Sequence, residues 1–167
     1  MIDDILQSEF IHGVTDQNLS GFYKGELVRL FPESFTETVG SLLLNVWLPW
    51  KGKFFYPQQQ LGDNIISPSL KFIIKFVYND WRQENHTDGM FHVFPFKTMV
   101  AQGLKDQVSV LQINYNLPQN PEIVRNVVDE LVRVDPVTYL GKAYLLKNNI
   151  PRLAAFFRLR KVDMNIH

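Results

Sequence analysis

No cysteine occurs in the chain, which excludes disulfides and thiolate metal sites together. Net charge is also missing: 17 basic side chains balance 17 acidic ones, so no global field draws the protein to nucleic acid, and no nucleic-acid partner is expected. No apolar run approaches the length of about 18 residues that a spanning helix needs. The opening residues, MIDDILQSEF, are acidic where a signal peptide would be basic, and a cytoplasmic location is expected. The catalytic signatures are absent too. There is no nucleophile elbow, no H-E-x-x-H, no Rossmann fingerprint and no P-loop. The four histidines, His12, His86, His92 and His167, have no ligand spacing, so neither metal nor other cofactor is expected.

What the chain does have is apolar and aromatic mass. Of 167 residues 46% are apolar and 13% aromatic, with 13 Phe, which describes one folded domain spanning 1–167 with a substantial core. Its most legible stretch is 120–146. Two long strands, 127–134 and 138–146, flank Asp135-Pro136. Proline presets the turn there, and the aspartate can receive backbone N–H groups ahead of it. Along the second strand Tyr139, Gly141, Ala143 and Leu145 share one face, with Leu140, Lys142 and Tyr144 on the other. Such a hairpin is not stable alone and needs further strands curled onto it.

Taken in order, the chain opens with a short helix in which Ile2, Leu6 and Phe10 recur at helical spacing. A strand follows over 21–31, where Gly21 and Gly25 predict sharp bending or close approach of a neighbour. Ser34 and Glu37 form a capping box before Phe35, Val39, Leu42, Leu43, Val46 and Trp47, the strongest helix signal, ended by Pro49. Residues 50–56 read as a strand and 57–64, PQQQLGDN, as a turn or loop. Residues 68–79 fit a helix started by Ser67-Pro68 and equally fit a strand, with the helix favoured. Strands are predicted over 91–102, with Pro95 marking an edge or bulge, and over 107–116 and 152–160. Six or seven antiparallel strands with short connections predict a mainly β fold: a closed or nearly closed antiparallel barrel with one or two inserted helices and a short N-terminal helix.

The segments LSGFYKGE, PWKGKFF and DELVRVDPVTYLGKAYL carry a resemblance over most of the chain. Their order is similar to the GXWXG-domain proteins, whose motifs run L-x-G-x-W-x-G, W-x-G-K-x-F and a closing strand pair. The matching residues are Leu19, Gly21, Gly25, Trp50, Gly52, Lys53, Phe55, Asp129, Leu140 and Gly141, with Tyr23 standing where the motif has Trp. The resemblance implies a lipocalin-like (calycin) barrel with an interior cavity and no established chemistry. Nitrobindin-like barrels share the opening motif and hold haem through a histidine near the C-terminus. No strand histidine stands there in this chain, so haem is not expected.

In a small barrel the core and any pocket are the same place. The residues expected to line it are Tyr23, Trp47, Trp50, Lys53, Phe55, Tyr115, Asp129, Lys142 and Tyr144. Asp129 and Glu130 are adjacent on a strand, so one of them points inward. A buried Asp129 requires a partner, Lys53 or Lys142. Non-catalytic binding of a small hydrophobic ligand, such as a fatty acid or isoprenoid, is the first reading. A cofactor-free isomerase or cyclase with Asp129 as the acid or base, and Lys53 or Tyr144 as donor, is the alternative. A third reading is peripheral contact with a membrane surface through the 33–48 helix. Finally, Gly141 in mid-strand predicts an aromatic ring on its Cα, with Trp50 or Tyr23 the candidates.

Overall fold

The structure is a computed structural model that describes residues 1–34, 50–68 and 90–162. Eight antiparallel strands close into a barrel in sequence order: β1 (Gly21–Leu30), β2 (Trp50–Tyr56), β3 (Leu61–Ile66), β4 (Phe91–Gln102), β5 (Ser109–Asn114), β6 (Val127–Arg133), β7 (Thr138–Lys147) and β8 (Ile150–Lys161). β8 pairs back onto β1, so every strand has two neighbours and no edge remains to template aggregation. Helix α1 (Ile2–Ile11) precedes the barrel, and the short α2 (Glu122–Arg125) sits before β6. The predicted helices at 34–48 and 68–79 lie outside the described residues, apart from Ser34 and Pro68 at their starts. Ser34 belongs to a 3₁₀ turn and its hydroxyl donates to the Leu153 carbonyl.

The turns follow their residues. Asp135 Oδ1 receives the N–H groups of Val137 and Thr138, both at 2.8 Å, and so fixes the β6–β7 corner. Asn148 and Asn149 adopt φ of 51° and 62° between paired Lys147 and Ile150, the left-handed pair that a two-residue hairpin needs.

One strand corrects the sequence reading. β3 occupies 61–66 and begins inside the 57–64 stretch expected to be a turn or loop. Its Gly62, Asp63 and Asn64 look like turn residues, but each is used inside the sheet. A Cβ at Gly62 would lie 2.3 Å from the Phe96 ring, so glycine is required for that ring to pack. Asp63 lies 3.2 Å from His92, and Asn64 enters the barrel interior.

The same device recurs at two more glycines. A Cβ on Gly25 would strike the Trp50 indole at 2.4 Å, and one on Gly141 would strike the Phe157 ring at 2.2 Å. The ring expected over Gly141 is therefore present, but it belongs to Phe157, the cross-strand partner on β8, and not to Trp50 or Tyr23. The two rings meet edge to face, 5.5 Å apart at 88°, an arrangement that aromatic quadrupoles favour.

Two apolar clusters result. The inner one fills much of the barrel, where Tyr23 meets Phe55 and Tyr139 edge to face at 5.5 Å each. The outer one forms where Leu6 and Phe10 of α1 cover Val110, Val132, Leu140 and Phe156 on the barrel wall. Both faces of β6 and β7 are consequently buried. Among the described residues no helix is long and apolar enough to cross a membrane.

Candidate functional site

Part of the barrel interior is filled by the rings of the inner cluster. Toward one end, bordered by Trp50 at the start of β2, Ile66 at the end of β3 and Val124 on α2, lies a cavity of about 50 Å³. Its walls are mostly apolar, with Leu27, Phe94, Ala143 and Phe157 among them, and its polar groups are Lys53, Asn64, Tyr115 and Asp129.

A bulge shapes this cavity. The β3–β4 register shifts between Gly62 and Asn64, opposite Phe94-Pro95. Phe94 has φ of 50°, a conformation that costs a non-glycine residue roughly 1–3 kcal/mol. Two buried asparagines receive the kink: Asn64 Nδ2 donates to the Phe94 carbonyl at 3.3 Å and Asn120 Nδ2 to the Pro95 carbonyl at 2.7 Å. The Phe94 ring, which regular alternation would place otherwise, then lines the cavity. Pro95 thus marks a bulge.

The four polar side chains form one network. Lys53 Nζ lies 2.8 Å from Asp129 Oδ2, and both side chains are buried. The ammonium also donates to Asn64 Oδ1 at 3.0 Å and to the Tyr115 hydroxyl. The Tyr115 hydroxyl donates to Asp129 Oδ2 at 3.0 Å and accepts from Asn64 Nδ2 at 3.0 Å. Trp50 Nε1 donates to Asn64 Oδ1 at 3.1 Å. Around this centre the rings of Trp50, Phe96, Tyr115 and Phe157 hold their centroids 5.1–5.4 Å from Lys53 Nζ, within cation–π range.

Burial shifts two members of the network, Lys53 and Tyr115. It lowers Lys53 from the usual lysine range, against the pull of the Asp129 charge. It raises Tyr115 well above the usual phenol value, and the neighbouring Asp129 adds to that shift. At neutral pH Tyr115 is therefore a phenol and a donor.

Of the residues expected at the site, the structure brings Trp50, Lys53, Tyr115 and Asp129 together on the cavity wall. Tyr23 and Phe55 are buried in the inner cluster beside it and do not line it. Trp47 lies outside the described residues, as does nearly all of the 33–48 segment considered for membrane contact. Lys142 and Tyr144 require correction, since strand alternation turns them to the outer face of β7. Lys142 Nζ pairs with Asp106 and sits 4.2 Å from the centroid of Phe10 on α1. Beside it Glu130 accepts the Leu104 N–H at 2.5 Å, and burial raises its pKa. Tyr144 is likewise raised by burial, with Glu130 and Asp106 contributing. The partner of Asp129 is thus Lys53, and the second donor to it is Tyr115 in place of Tyr144.

Asn64 is the polar site residue that the sequence reading missed, and the apolar wall of Leu27, Phe94, Ala143 and Phe157 was missed as well. The available signal for Asn64 was the apolar flank of Leu61, Ile65 and Ile66, with Gly62, Asn64 and Ile66 alternating onto one face. Among the described residues no cluster of three or more His, Cys, Asp or Glu could hold a metal ion.

No known protein family and no curated protein matches the chain. A crystal structure of a protein from Thermomonospora curvata is similar in fold: it is 14% identical, with a TM-score of 0.52 over 96% of this chain and 95% of that one.

Proposed function

We propose that the barrel is a binding module for a small, mainly apolar ligand held in the interior cavity. One observation carries this reading. An apolar chamber ends in a pre-organised polar centre whose members are already fixed by each other. Ligand sites combine an apolar lining with a few placed polar groups in this way. Size limits the occupant. By the measure in which a water takes about 10–15 Å³, a volume of about 50 Å³ admits three or four waters or an organic group of similar size. A longer isoprenoid or acyl chain would exceed that volume. Membership of the GXWXG-domain proteins is part of the proposal, supported by Trp50, Lys53 and Asp129 on the cavity wall and by Gly25 and Gly141, which make room for the wall rings of Trp50 and Phe157.

Native mass spectrometry of gently purified protein, with titration of an apolar fluorescent probe, tests the reading. We expect a bound small molecule or saturable probe binding, abolished by Ala143→Leu, which fills the cavity from its wall. Neither ligand nor probe binding in folded protein would refute it. A catalytic reading keeps one specific support, the placement of Asp129 among Lys53 and Tyr115 inside apolar walls, where a carboxylate can act as acid or base. It requires that Asp129→Asn abolish turnover while ligand still binds.

A further inference from the structure

The hydrogen bonds of the polar centre can be inventoried group by group. The amide of Asn64 uses both N–H groups, toward the Phe94 carbonyl and Tyr115, and its oxygen accepts from Trp50 and Lys53. The Tyr115 hydroxyl gives its one proton to Asp129 and accepts from Lys53 and Asn64. The three protons of the Lys53 ammonium are matched by Asn64, Tyr115 and Asp129 Oδ2. Asp129 Oδ2 thus has two neighbours that supply protons. Asp129 Oδ1 receives no hydrogen bond from the described residues, and Asp129 lines the cavity.

The centre therefore has acceptor capacity to offer and no spare donor. Its formal charge is already balanced, one ammonium against one carboxylate. A ligand carboxylate would bring a second anion to Asp129 and find every nearby proton committed. A ligand ammonium would find an acceptor, but would leave an unbalanced cation in an apolar chamber. A neutral hydroxyl supplies the missing donor and adds no charge.

We infer that the cavity recognises the hydroxyl group of a neutral, apolar alcohol, which donates to Asp129 Oδ1 while its carbon chain packs between Phe94, Trp50 and Phe157. This rests on the binding reading above and narrows it, favouring an isoprenoid alcohol type of ligand over a fatty acid. A chain of about four carbons matches the free volume.

The test compares four probes of one size on the wild-type protein: butanol, methyl propyl ether, butyrate and butylammonium. Binding is followed by two-dimensional NMR at the Trp50 indole N–H and the Asn64 side-chain amide. A hydrogen bond to a charged acceptor predicts that butanol binds about tenfold or more tightly than the ether, with butyrate weakest. In folded Asp129→Asn that preference should shrink, and should this variant not fold, the wild-type ranking decides alone. Equal binding of butanol and ether, or a preference for butyrate or butylammonium, overturns the inference and leaves the binding reading standing. No shift at either reporter with any probe overturns both.

Discussion

Gly141→Ala adds a single methyl group at the place where β7 and β8 carry the cavity wall, and opposing effects can be set against each other there. The gain is local: better strand propensity and a less flexible unfolded chain, together about 1 kcal/mol. The loss is steric. The new carbon would sit 2.2 Å from Phe157 Cζ and within 2.6 Å of both Cε atoms, whereas carbon contacts settle at about 3.5–4.0 Å. The ring must retreat by more than an ångström, and Trp50 stands against it edge to face at 5.5 Å. Overpacking costs about 1–3 kcal/mol, and a displacement this large belongs in the upper part of that range, about 2–3 kcal/mol, so the steric effect wins and a net loss of about 1–2 kcal/mol remains. For a chain of this length each kcal/mol moves the midpoint by about 2–4 °C, and a thermal melt should fall by about 2–8 °C. In a Phe157→Leu background most of the loss should vanish, because the clashing ring is gone. A Gly141→Ala protein that melts at or above the wild type refutes the reasoning, as does an equal loss in both backgrounds.

Lys53→Met should destabilise the protein by about 3–5 kcal/mol in urea titrations, because it strands a buried carboxylate, and Lys53→Met combined with Asp129→Leu should recover part of that loss. Tyr23, Tyr115, Tyr139 and Tyr144 are all raised above the usual phenol value, chiefly by burial. The folded state therefore keeps protons that the unfolded chain sheds near pH 10, and stability falls as pH rises above that value. Phenolate absorbance from these residues should appear together with loss of circular dichroism in one step. Lys53 acts oppositely, because its lowered value lets the folded state release a proton first and gain stability as pH climbs toward 10.5. Glu130 is raised from 4.5, so its contribution falls as pH rises from there through the folded value, and Glu130→Gln should flatten that slope in denaturant midpoints measured across pH.

Much of the barrel was legible because period-two alternation and turn chemistry are local signals. Residues 50–56 and 91–102 show it, and so does the corner at Asp135-Pro136. β3 was not legible for a physical reason. Gly62, Asp63 and Asn64 are turn formers by intrinsic preference, and each is justified only by a partner distant in sequence: the Phe96 ring, His92, and the Lys53–Tyr115 pair. The same limit applies to Gly141, where the need for a ring could be read from the strand but the cross-strand register that selects Phe157 could not. At Leu27–Arg29 a bulge inverts the faces. Alternation read through 21–31 would send Arg29 inward with Tyr23 and Leu27, whereas Leu30 packs on the inner cluster and Arg29 pairs with Asp3 outside.

The reversal of Lys142 and Tyr144 has a more general cause. Sequence patterning assumes one wet face and one dry face per strand, and β7 has two dry ones because α1 lies on the barrel wall. A charged residue between apolar neighbours then marks burial without saying on which side. The adjacent carboxylates of β6 make the same point. Asp129 turns inward to Lys53, and Glu130 turns outward into the neighbourhood of Lys142 and Asp106 beneath α1. Each face thus receives its own lysine. The two centres nevertheless differ in what they leave unsatisfied. On the outer face Glu130 Oε2 is sealed from solvent without a partner among the described residues, and burial raises the pKa of that carboxyl toward a protonated form. On the inner face the unused oxygen belongs to a residue of the cavity wall. A sealed acceptor is relieved by taking up a proton, whereas one that faces a chamber can be relieved by a ligand. That difference favours the barrel interior over the space beneath α1 for the ligand site proposed above.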